Sequence, residues 1–272
     1  MGRAPCVALL ESRMGRELSR LVEKHGGKAL CFPAVHERHE LSSERAHALI
    51  EELLTGQHDL AIFMTGVAAS LLFEAAEKLG RRADLVNGLE SITTVCRGPK
   101  PTAALRGFGV LPSLTANEPF TTAEVIDTLA GIDLRGCRVL LFHYGERSDS
   151  LAETLLARQA VVSEQWLYRW YLPEDASGLE QLVRSLIAGE LDALAVTCQI
   201  QFRHLHQVAQ RLGLAADLIE ALNHKVTVAA VGPTCSAILR AHGVRVNVMP
   251  EHPKMGPLVI SLMRSLVSSA HL

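Results

Sequence analysis

The sequence is short of several features that would assign it to a particular class of protein. Aromatic residues make up 4% of its 272 residues, and 27 Lys and Arg against 29 Asp and Glu leave a net charge of −2. This balance provides no basic surface for nucleic acid. The apolar runs are shorter than the roughly 18 residues of a membrane span, and the N-terminus lacks the apolar region of a signal peptide. We therefore expect a protein that binds neither nucleic acid nor a membrane. We also expect it to be a cytoplasmic monomer.

Motifs for metals and cofactors are also missing from the sequence. The six cysteines form no C-x-x-C pair, which favours reduced thiols and argues against a zinc ribbon. Two histidine pairs, His36 with His39 and His204 with His206, have spacings that could ligate a metal, but no H-E-x-x-H pattern accompanies them. There is no Walker A loop, no G-x-G-x-x-G turn and no G-x-S-x-G sequence. We expect no metal, no nucleotide cofactor and no serine nucleophile.

The chain does contain a regular alternation of short apolar runs and segments with helical spacing. The run "CVALL" is followed by "GRELSRLVEKHG", and "DLAIFM" is followed by "ASLLFEAAEKLG". Gly80 and Gly213 stand where a left-handed residue would end a helix. This alternation predicts an α/β fold with mostly parallel sheets and flanking helices.

The sequence also repeats itself. Gly98-Pro99 in "VCRGPKPTAALRGFGV" aligns with Gly232-Pro233 in "VAAVGPTCSAILRAHGV" at an offset of 134 residues, and Asp59 aligns with Asp192 at 133. A weaker match at 130 relates the segments that follow "CVALL" and "RVLLF". Three matches in the same order predict two copies of one half, at about 1–133 and 134–272. Two similar lobes would place a ligand cleft between them, since open α/β sheets bind ligands at the carboxyl ends of their strands.

Each turn from a strand to a helix exposes backbone N–H groups at the positive end of the helix dipole. Such turns suit a ligand with several carboxylates or phosphates, although Ser, Thr and Gly there can equally serve only as caps. The candidate turns are residues 12–15, 65–68, 97–102, 145–148, 197–201 and 232–236.

The scarce aromatic residues concentrate in "EQWLYRWYLP", residues 164–173, which holds both tryptophans and two of the three tyrosines. The stretch "LCFPAVHERHE" occupies the corresponding place in the first half. We interpret the two as strands of a connector that joins the lobes. Tyr168 could present its hydroxyl to a ligand as a donor or weak acid, or it could belong to an aromatic patch that packs the hinge.

The order of these segments resembles that of the uroporphyrinogen-III synthases. The similarity covers nearly the whole chain and is carried by "DLAIFMTG", "VCRGPKPTAALRGFG", "LLFHYGERSDSL", "LYRWYLPED", "DALAVTCQIQF" and "VTVAAVGPTCSAILRAHGVRVNVMPEHPKMGPLV". The resemblance implies two α/β lobes with a two-stranded connector, one formed by residues 1–35 plus 172–272 and the other by residues 36–171. It also implies conversion of hydroxymethylbilane, a linear tetrapyrrole with eight carboxylates, into uroporphyrinogen III, with inversion of ring D and loss of water. No cofactor is implied.

The resemblance assigns a catalytic role to Tyr168, which matches the family's connector tyrosine. It matches Arg13, Thr197 and the Thr234-Cys235 pair to residues of the family's turns, with Cys235 in place of a second threonine. Together with the turns derived above, the candidate substrate-binding residues are Arg13, Thr65, Gly66, Arg97, Gly98, Gly145, Arg147, Thr197, Cys198, Gln199, Gly232, Thr234 and Cys235. The alternative is a synthase-like sensor that binds a tetrapyrrole or another polyanion without converting it.

Overall fold

The computed structural model describes residues 3–269 and has the α/β architecture that the alternation predicts. The strands are β1 (Cys6–Leu9), β2 (Lys28–Cys31), β3 (His36–His39), β4 (Leu60–Phe63), β5 (Thr93–Cys96), β6 (Leu114–Thr115), β7 (Arg138–Phe142), β8 (Val161–Gln165), β9 (Tyr168–Tyr171), β10 (Ala193–Val196) and β11 (Thr227–Ala230).

Helices follow most of the strands, and they cover both faces of the two larger sheets. The helices are α1 (Gly15–Lys24), α2 (Ser43–Leu54), α3 (Gly66–Lys78), α4 (Arg82–Glu90), α5 (Pro99–Gly107), α6 (Thr122–Thr128), α7 (Asp149–Ala157), α8 (Ser177–Ala188), α9 (Gln199–Arg211), α10 (Ala215–His224), α11 (Pro233–Ala241) and α12 (Met255–Ser269). Within residues 3–269, no helix combines the length and the apolar character needed to cross a membrane.

The chain divides into two compact units. The first unit comprises the described parts of Met1–His36 and Tyr171–Leu272. Its parallel sheet has the strand order β11-β10-β1-β2, and Val248 pairs with Ala229 at the far side of β11. Every residue of β1 and of β10 is buried, since helices cover both faces of a parallel sheet.

The second unit, Glu37–Trp170, has a five-stranded parallel sheet in the order β6-β5-β4-β7-β8. Its central strand β4, "LAIF", is buried throughout. Two apolar clusters occupy the two faces of the sheet, one around Phe63 and Phe142 and the other around Ile62 and Leu141. The rings of Phe63 and Phe142 stack with their centroids 4.6 Å apart.

The predicted connector is confirmed as the two-stranded sheet of β3 and β9. Both crossings of the chain between the units fall in these strands, at His36–Glu37 and at Trp170–Tyr171. Tyr168 is the first residue of β9, and its side chain lies close to the carboxyl end of β4 in the second unit's sheet.

The internal duplication is confirmed in the order of the strands. Within the second unit, β6, β5, β4, β7 and β8 occupy the places that the Val248 segment, β11, β10, β1 and β2 occupy in the first. Each sheet therefore combines the first two strands of one sequence copy with the later strands of the other. The compact units are consequently not the two halves of the sequence.

The repeated aspartates, Asp59 and Asp192, make equivalent hydrogen bonds in the two sheets. The Asp59 carboxylate accepts the Arg138 backbone N–H at 2.8 Å, and that of Asp192 accepts the Cys6 backbone N–H at 2.7 Å. Each aspartate precedes a central strand and ties it to the neighbouring strand that begins the other copy. Gly80 and Gly213 likewise end α3 and α9 with positive φ angles of 69° and 71°, as the sequence predicts.

Candidate functional site

The carboxyl ends of three adjacent strands meet at one edge of the second unit's sheet. Strands β5, β4 and β7 are neighbours there, and they are followed closely by Arg97, Thr65 and His143. Parallel strands direct all their carboxyl ends to the same edge, so these residues are brought together although they lie far apart in sequence. This edge is the candidate site of the second unit.

Tyr168 contributes its hydroxyl to this edge from the connector. The Tyr168 Oη donates a hydrogen bond to Oγ1 of Thr65 at 3.1 Å, and the side chain is only 1% exposed. Burial raises the pKa of Tyr168, whereas hydrogen bonds with Thr65 and with the backbone of Gly145 act in the opposite direction. The phenol is therefore protonated at neutral pH and can act as a donor.

Thr65 joins Tyr168 to the start of α3. Its Oγ1 also accepts the backbone N–H of Ala68 at 3.2 Å, as the N-cap of the helix. A hydroxyl oxygen has two acceptor lone pairs and one donor proton. With both lone pairs used by Tyr168 and Ala68, the half-buried Thr65 can interact with a ligand only by donating its own proton.

Three candidate glycines in this unit are sites of close backbone approach. A Cβ on Gly66 would lie 2.8 Å from the Lys100 carbonyl oxygen, and one on Gly98 would lie 3.0 Å from the Phe120 ring. On Gly145 it would lie 2.3 Å from the Trp170 indole. Glycine at these positions thus lets the three turns pack against their neighbours.

The candidate arginines of this unit have partners in the protein. The Arg97 guanidinium carbon lies 5.5 Å from the centroid of the Tyr144 ring. Arg147 binds Glu164 through two hydrogen bonds of 2.8 Å each, and it donates a third to Asp149 at 2.9 Å. The bidentate contact holds the Arg147 side chain in one direction.

The sequence did not lead us to select His143 or Glu164. Both lie next to the turn that carries Arg147. His143 is fully buried, and its Nε2 is 2.7 Å from Oε2 of Glu164. The Arg147 guanidinium, followed by the His143 ring, lowers the pKa of Glu164. The signal that could have identified this pair is Glu164, a charged residue within the half-buried strand "VVSEQ", because a charged group that is partly buried needs a partner.

The first unit arranges its turns around Glu11, which follows β1. The Thr197 hydroxyl donates to Oε1 of Glu11, and Nε2 of Gln201 donates to the same oxygen at 2.8 Å. Oε1 of Gln201 accepts the backbone N–H groups of Thr197 at 2.9 Å and of Cys198 at 3.1 Å. The buried Gln201 side chain therefore satisfies two backbone donors at the start of α9, within a capping box.

The remaining candidates of the first unit lie on neighbouring turns. Gly232 is the N-cap of α11, and a Cβ there would lie 2.9 Å from Cβ of Pro253. Thr234 is exposed on the first turn of this helix, whereas Cys235 is 4% exposed, and burial raises its pKa to about 12. Arg13 is exposed after β1, and Gln199 is half-buried at the start of α9.

A groove of about 350 Å³ runs beside the first turns of α1 in the same unit. It is lined by Glu11, Ser12, Gly15, Arg16, Ser19, Arg20, Glu23, Cys31 and Pro33. Over residues 3–269, no group of three or more His, Cys, Asp and Glu side chains is placed to hold a metal ion.

The candidates thus form one set on each unit. Thr65, Gly66, Arg97, Gly98, Gly145, Arg147 and Tyr168 belong to the second unit, and Arg13, Thr197, Cys198, Gln199, Gly232, Thr234 and Cys235 belong to the first. Two α/β units, each with a parallel sheet and polar turns at the carboxyl ends of its strands, and a two-stranded connector between them define the class of two-lobed α/β proteins.

The particular family follows from comparison with known proteins. The family model described as "Uroporphyrinogen-III synthase HemD" matches residues 16–260, and the chain belongs to this family. A mutant uroporphyrinogen III synthase from the extremely thermophilic bacterium Thermus thermophilus has the same fold, with a TM-score of 0.80 and 28% identity over 97% of this chain and 100% of that one.

Two curated proteins are similar over most of their lengths. One is the "Putative uroporphyrinogen-III synthase" of Methanothermobacter thermautotrophicus, 28% identical over 251 residues, which are 92% of this chain and 94% of that protein. The other is the "Uncharacterized protein YjjA" of Bacillus subtilis, 28% identical over 258 residues, which are 95% of this chain and 94% of that protein. Family and fold therefore support a function like that of uroporphyrinogen-III synthase.

Proposed function

We propose that the protein is a uroporphyrinogen-III synthase, a lyase that cyclises hydroxymethylbilane to uroporphyrinogen III with inversion of ring D and loss of water. The hydrogen bond from Tyr168 to Thr65 carries this proposal, because it presents a hydroxyl donor at the edge of a sheet where α/β proteins bind ligands. We also propose that the protein acts as a cytoplasmic monomer without a metal or organic cofactor.

The first step of this reaction is departure of the substrate's hydroxyl group. Proton donation to that oxygen makes it leave as water, and the remaining electron-deficient methylene carbon is stabilised by the adjacent pyrrole nitrogen. In our proposal Thr65 donates to the leaving oxygen, and Tyr168 donates to Thr65 in turn. Ring closure through a spiro intermediate then returns a proton from the pyrrole to this pair, so that only water is lost.

The turns of the two units have a different role in the proposal. The second unit offers Arg97, Arg147 and the first turns of α3 and α5, and the first unit offers Arg13 and the first turns of α9 and α11, so each unit supplies positive charge and the positive ends of helix dipoles. A substrate with eight carboxylates needs many such contacts to be held in a folded conformation. Binding energy would then offset part of the conformational entropy that the substrate must lose before its ring can close.

A coupled assay tests this function. Porphobilinogen and its deaminase are incubated with the protein, the products are oxidised, and the uroporphyrin isomers are separated. We expect the type III isomer in proportion to the protein added, and the heated protein serves as control. Formation of type I alone, as in the reaction without the protein, would reject the synthase.

A second candidate function is a sensor that binds the tetrapyrrole without converting it. The buried thiol of Cys235 favours this candidate, because it stands where the family has a second threonine hydroxyl. Titration with uroporphyrin III, followed by quenching of tryptophan emission, distinguishes the two candidates when only type I forms. Saturable quenching supports the sensor, and its absence rejects it.

A further inference from the structure

The protonation state of His143 is determined by its two hydrogen bonds. Nδ1 lies 3.2 Å from the backbone nitrogen of Ser148, and Nε2 lies 2.7 Å from the Glu164 carboxylate. A backbone N–H can only donate, so Nδ1 must be the unprotonated nitrogen and Nε2 must carry the proton. The structure therefore requires a neutral imidazole in a single tautomer.

The bond from Ser148 to His143 closes the turn that precedes α7. Ser148 is the N-cap of this helix, and among the described residues its side chain caps no backbone N–H. The Ser148 hydroxyl is instead 3.3 Å from that of Thr122. Gly145 and Arg147 lie between His143 and Ser148 in the chain, so the hydrogen bond between these two residues closes the turn that carries both candidates.

The charged groups around His143 come from three elements. Glu164 lies on β8, Arg147 on the turn itself and Asp149 at the start of α7, and all three affect the charge of the ring. The Trp166 ring stacks on the imidazole at 4.7 Å, and Arg169 lies 4.7 Å from the Trp166 ring centroid. Glu164 favours a charged imidazole, but it already binds Arg147 through two hydrogen bonds.

Protonation of the ring would be incompatible with this arrangement. A second N–H, on Nδ1, would point at the Ser148 N–H, so that two donors would face each other and the backbone group would lose its acceptor. A buried polar group without a partner is costly. Release of the turn toward water would give both groups new partners.

We propose that His143 is a positioning residue for the turn of Gly145 and Arg147, and that protonation of its imidazole releases this turn. The consequence for substrate rests on the proposed function, since Arg147 is a candidate for binding carboxylates. Release of the turn itself does not depend on it. Burial lowers the pKa of His143, so the turn is closed at neutral pH and opens only under acidic conditions.

Amide hydrogen exchange of the protein without substrate tests the release. After correction for intrinsic rates, we expect exchange in residues 143–150 to rise by up to tenfold for each pH unit as the pH falls from the ordinary imidazole pKa of about 6.5 toward the lowered pKa of the closed turn, and to level off below it. The segment Gly66–Lys78 of the same unit is the internal control and should not respond. A pH-independent rate in residues 143–150 of the wild-type protein would overturn the proposal, without any variant being needed.

Two substitutions separate the two hydrogen bonds of His143. In His143→Asn, Oδ1 takes the place of Nδ1 as the acceptor for Ser148, so the turn should remain closed and the acid response should disappear. In His143→Gln, the amide can reach Glu164 but not Ser148, so exchange should be fast at all pH values. An acid response that persists in His143→Asn would assign it to another group and overturn the proposal.

Kinetics test the positioning role separately, with hydroxymethylbilane as substrate. The KM of the wild-type protein should rise below the pH at which the turn opens, and the KM of His143→Asn should not. If exchange shows the release but KM is independent of pH in the wild type, the positioning role is overturned. The exchange measurement needs no substrate. It therefore tests release of the turn even if the protein has no synthase activity.

Discussion

The hydroxyl of Tyr168 donates to Oγ1 of Thr65 at 3.1 Å, although 103 residues separate the two in the sequence. The contact joins the connector to the first turn of α3, and Thr65 is in turn bound by the Ala68 N–H. The two hydroxyls and the N-terminus of α3 thus form one hydrogen-bonded cluster. In this cluster the Tyr168 side chain is buried and the Thr65 side chain is half-buried.

In the proposed synthase, removal of the Tyr168 hydroxyl should therefore affect catalysis as well as stability. We expect Tyr168→Phe to lower kcat by about 100-fold, since it removes a proton donor. The free energy of unfolding should fall by about 2 kcal/mol, because the hydroxyl's hydrogen bonds with Thr65 and with the backbone of Gly145 are both lost. Steady-state kinetics and urea unfolding measure the two effects.

Substitutions at Thr65 and Tyr171 serve as controls for this experiment. Thr65→Ser keeps the hydroxyl and should keep most of the activity, whereas Thr65→Val should be about as slow as Tyr168→Phe. Tyr171→Phe, in the same strand, should leave the rate unchanged. A Tyr168→Phe protein with full activity would remove the Tyr168 hydroxyl from the mechanism.

Gly145 should not tolerate a side chain. A Cβ at this position would lie 2.3 Å from the Trp170 ring, so Gly145→Ala must displace the indole or the turn. We expect a loss of about 1–3 kcal/mol in the free energy of unfolding, as for other over-packed sites. Gly107→Ala is the matched control, because apart from the chain neighbours and the backbone of its own helix no described atom lies within 4 Å of its Cβ, and alanine favours the helix. Equal stabilities of the two variants in urea would contradict the close approach.

The Asp59–Arg138 ion pair should make stability depend on pH in the acidic range. Hydrogen bonds from Arg138 lower the pKa of Asp59 to about 2, below the ordinary value of about 3.9. A carboxylate with a lowered pKa stabilises the folded state above its unfolded pKa, and this contribution is lost as the pH falls toward 2. Because the pair is more than a third exposed, we expect only about 0.5 kcal/mol from it at pH 7.

Asp59→Asn measures that contribution. The variant should be less stable than the wild type at pH 7 in urea unfolding, and the difference should shrink between pH 4 and pH 2. A difference that is constant over this range would show that the carboxylate's charge is not the cause.

The cysteines should differ strongly in reactivity. Burial raises the pKa of Cys96 to about 11 and that of Cys235 to about 12, whereas Cys31 is exposed. Only the thiolate reacts with iodoacetamide, so at pH 8 Cys31 should be alkylated well before the other two. Peptide mass spectrometry of the folded protein, with the urea-unfolded protein as control, gives the order of labelling. Rapid modification of Cys235 in the folded protein would contradict its burial.

Much of the fold could be predicted from local patterns. The strands β1, β4, β7 and β10 lie in the apolar runs selected from the sequence, because a strand covered on both faces by helices must be apolar throughout. The repeat was visible because corresponding turns keep Gly-Pro at the start of a helix, where the turn packs closely against a neighbouring residue. The exchange of strands between the copies was not visible in these local patterns, since strand order depends on contacts between distant segments; only the resemblance to the family implied it, through a lobe of residues 1–35 plus 172–272.

The sequence by itself determined the alternation of strands and helices, the duplicated half, the connector and the turns at the carboxyl ends of the strands. These features follow from hydrophobic period and turn chemistry, which act over a few residues. Only the tertiary structure decided which groups are already bound within the protein. Arg147 holds Glu164, Gln201 holds the backbone of Thr197, and His143 holds the turn before α7. Hydrogen-bond partners depend on distance in space, and that distance depends on how the strands of the two copies are combined in each sheet.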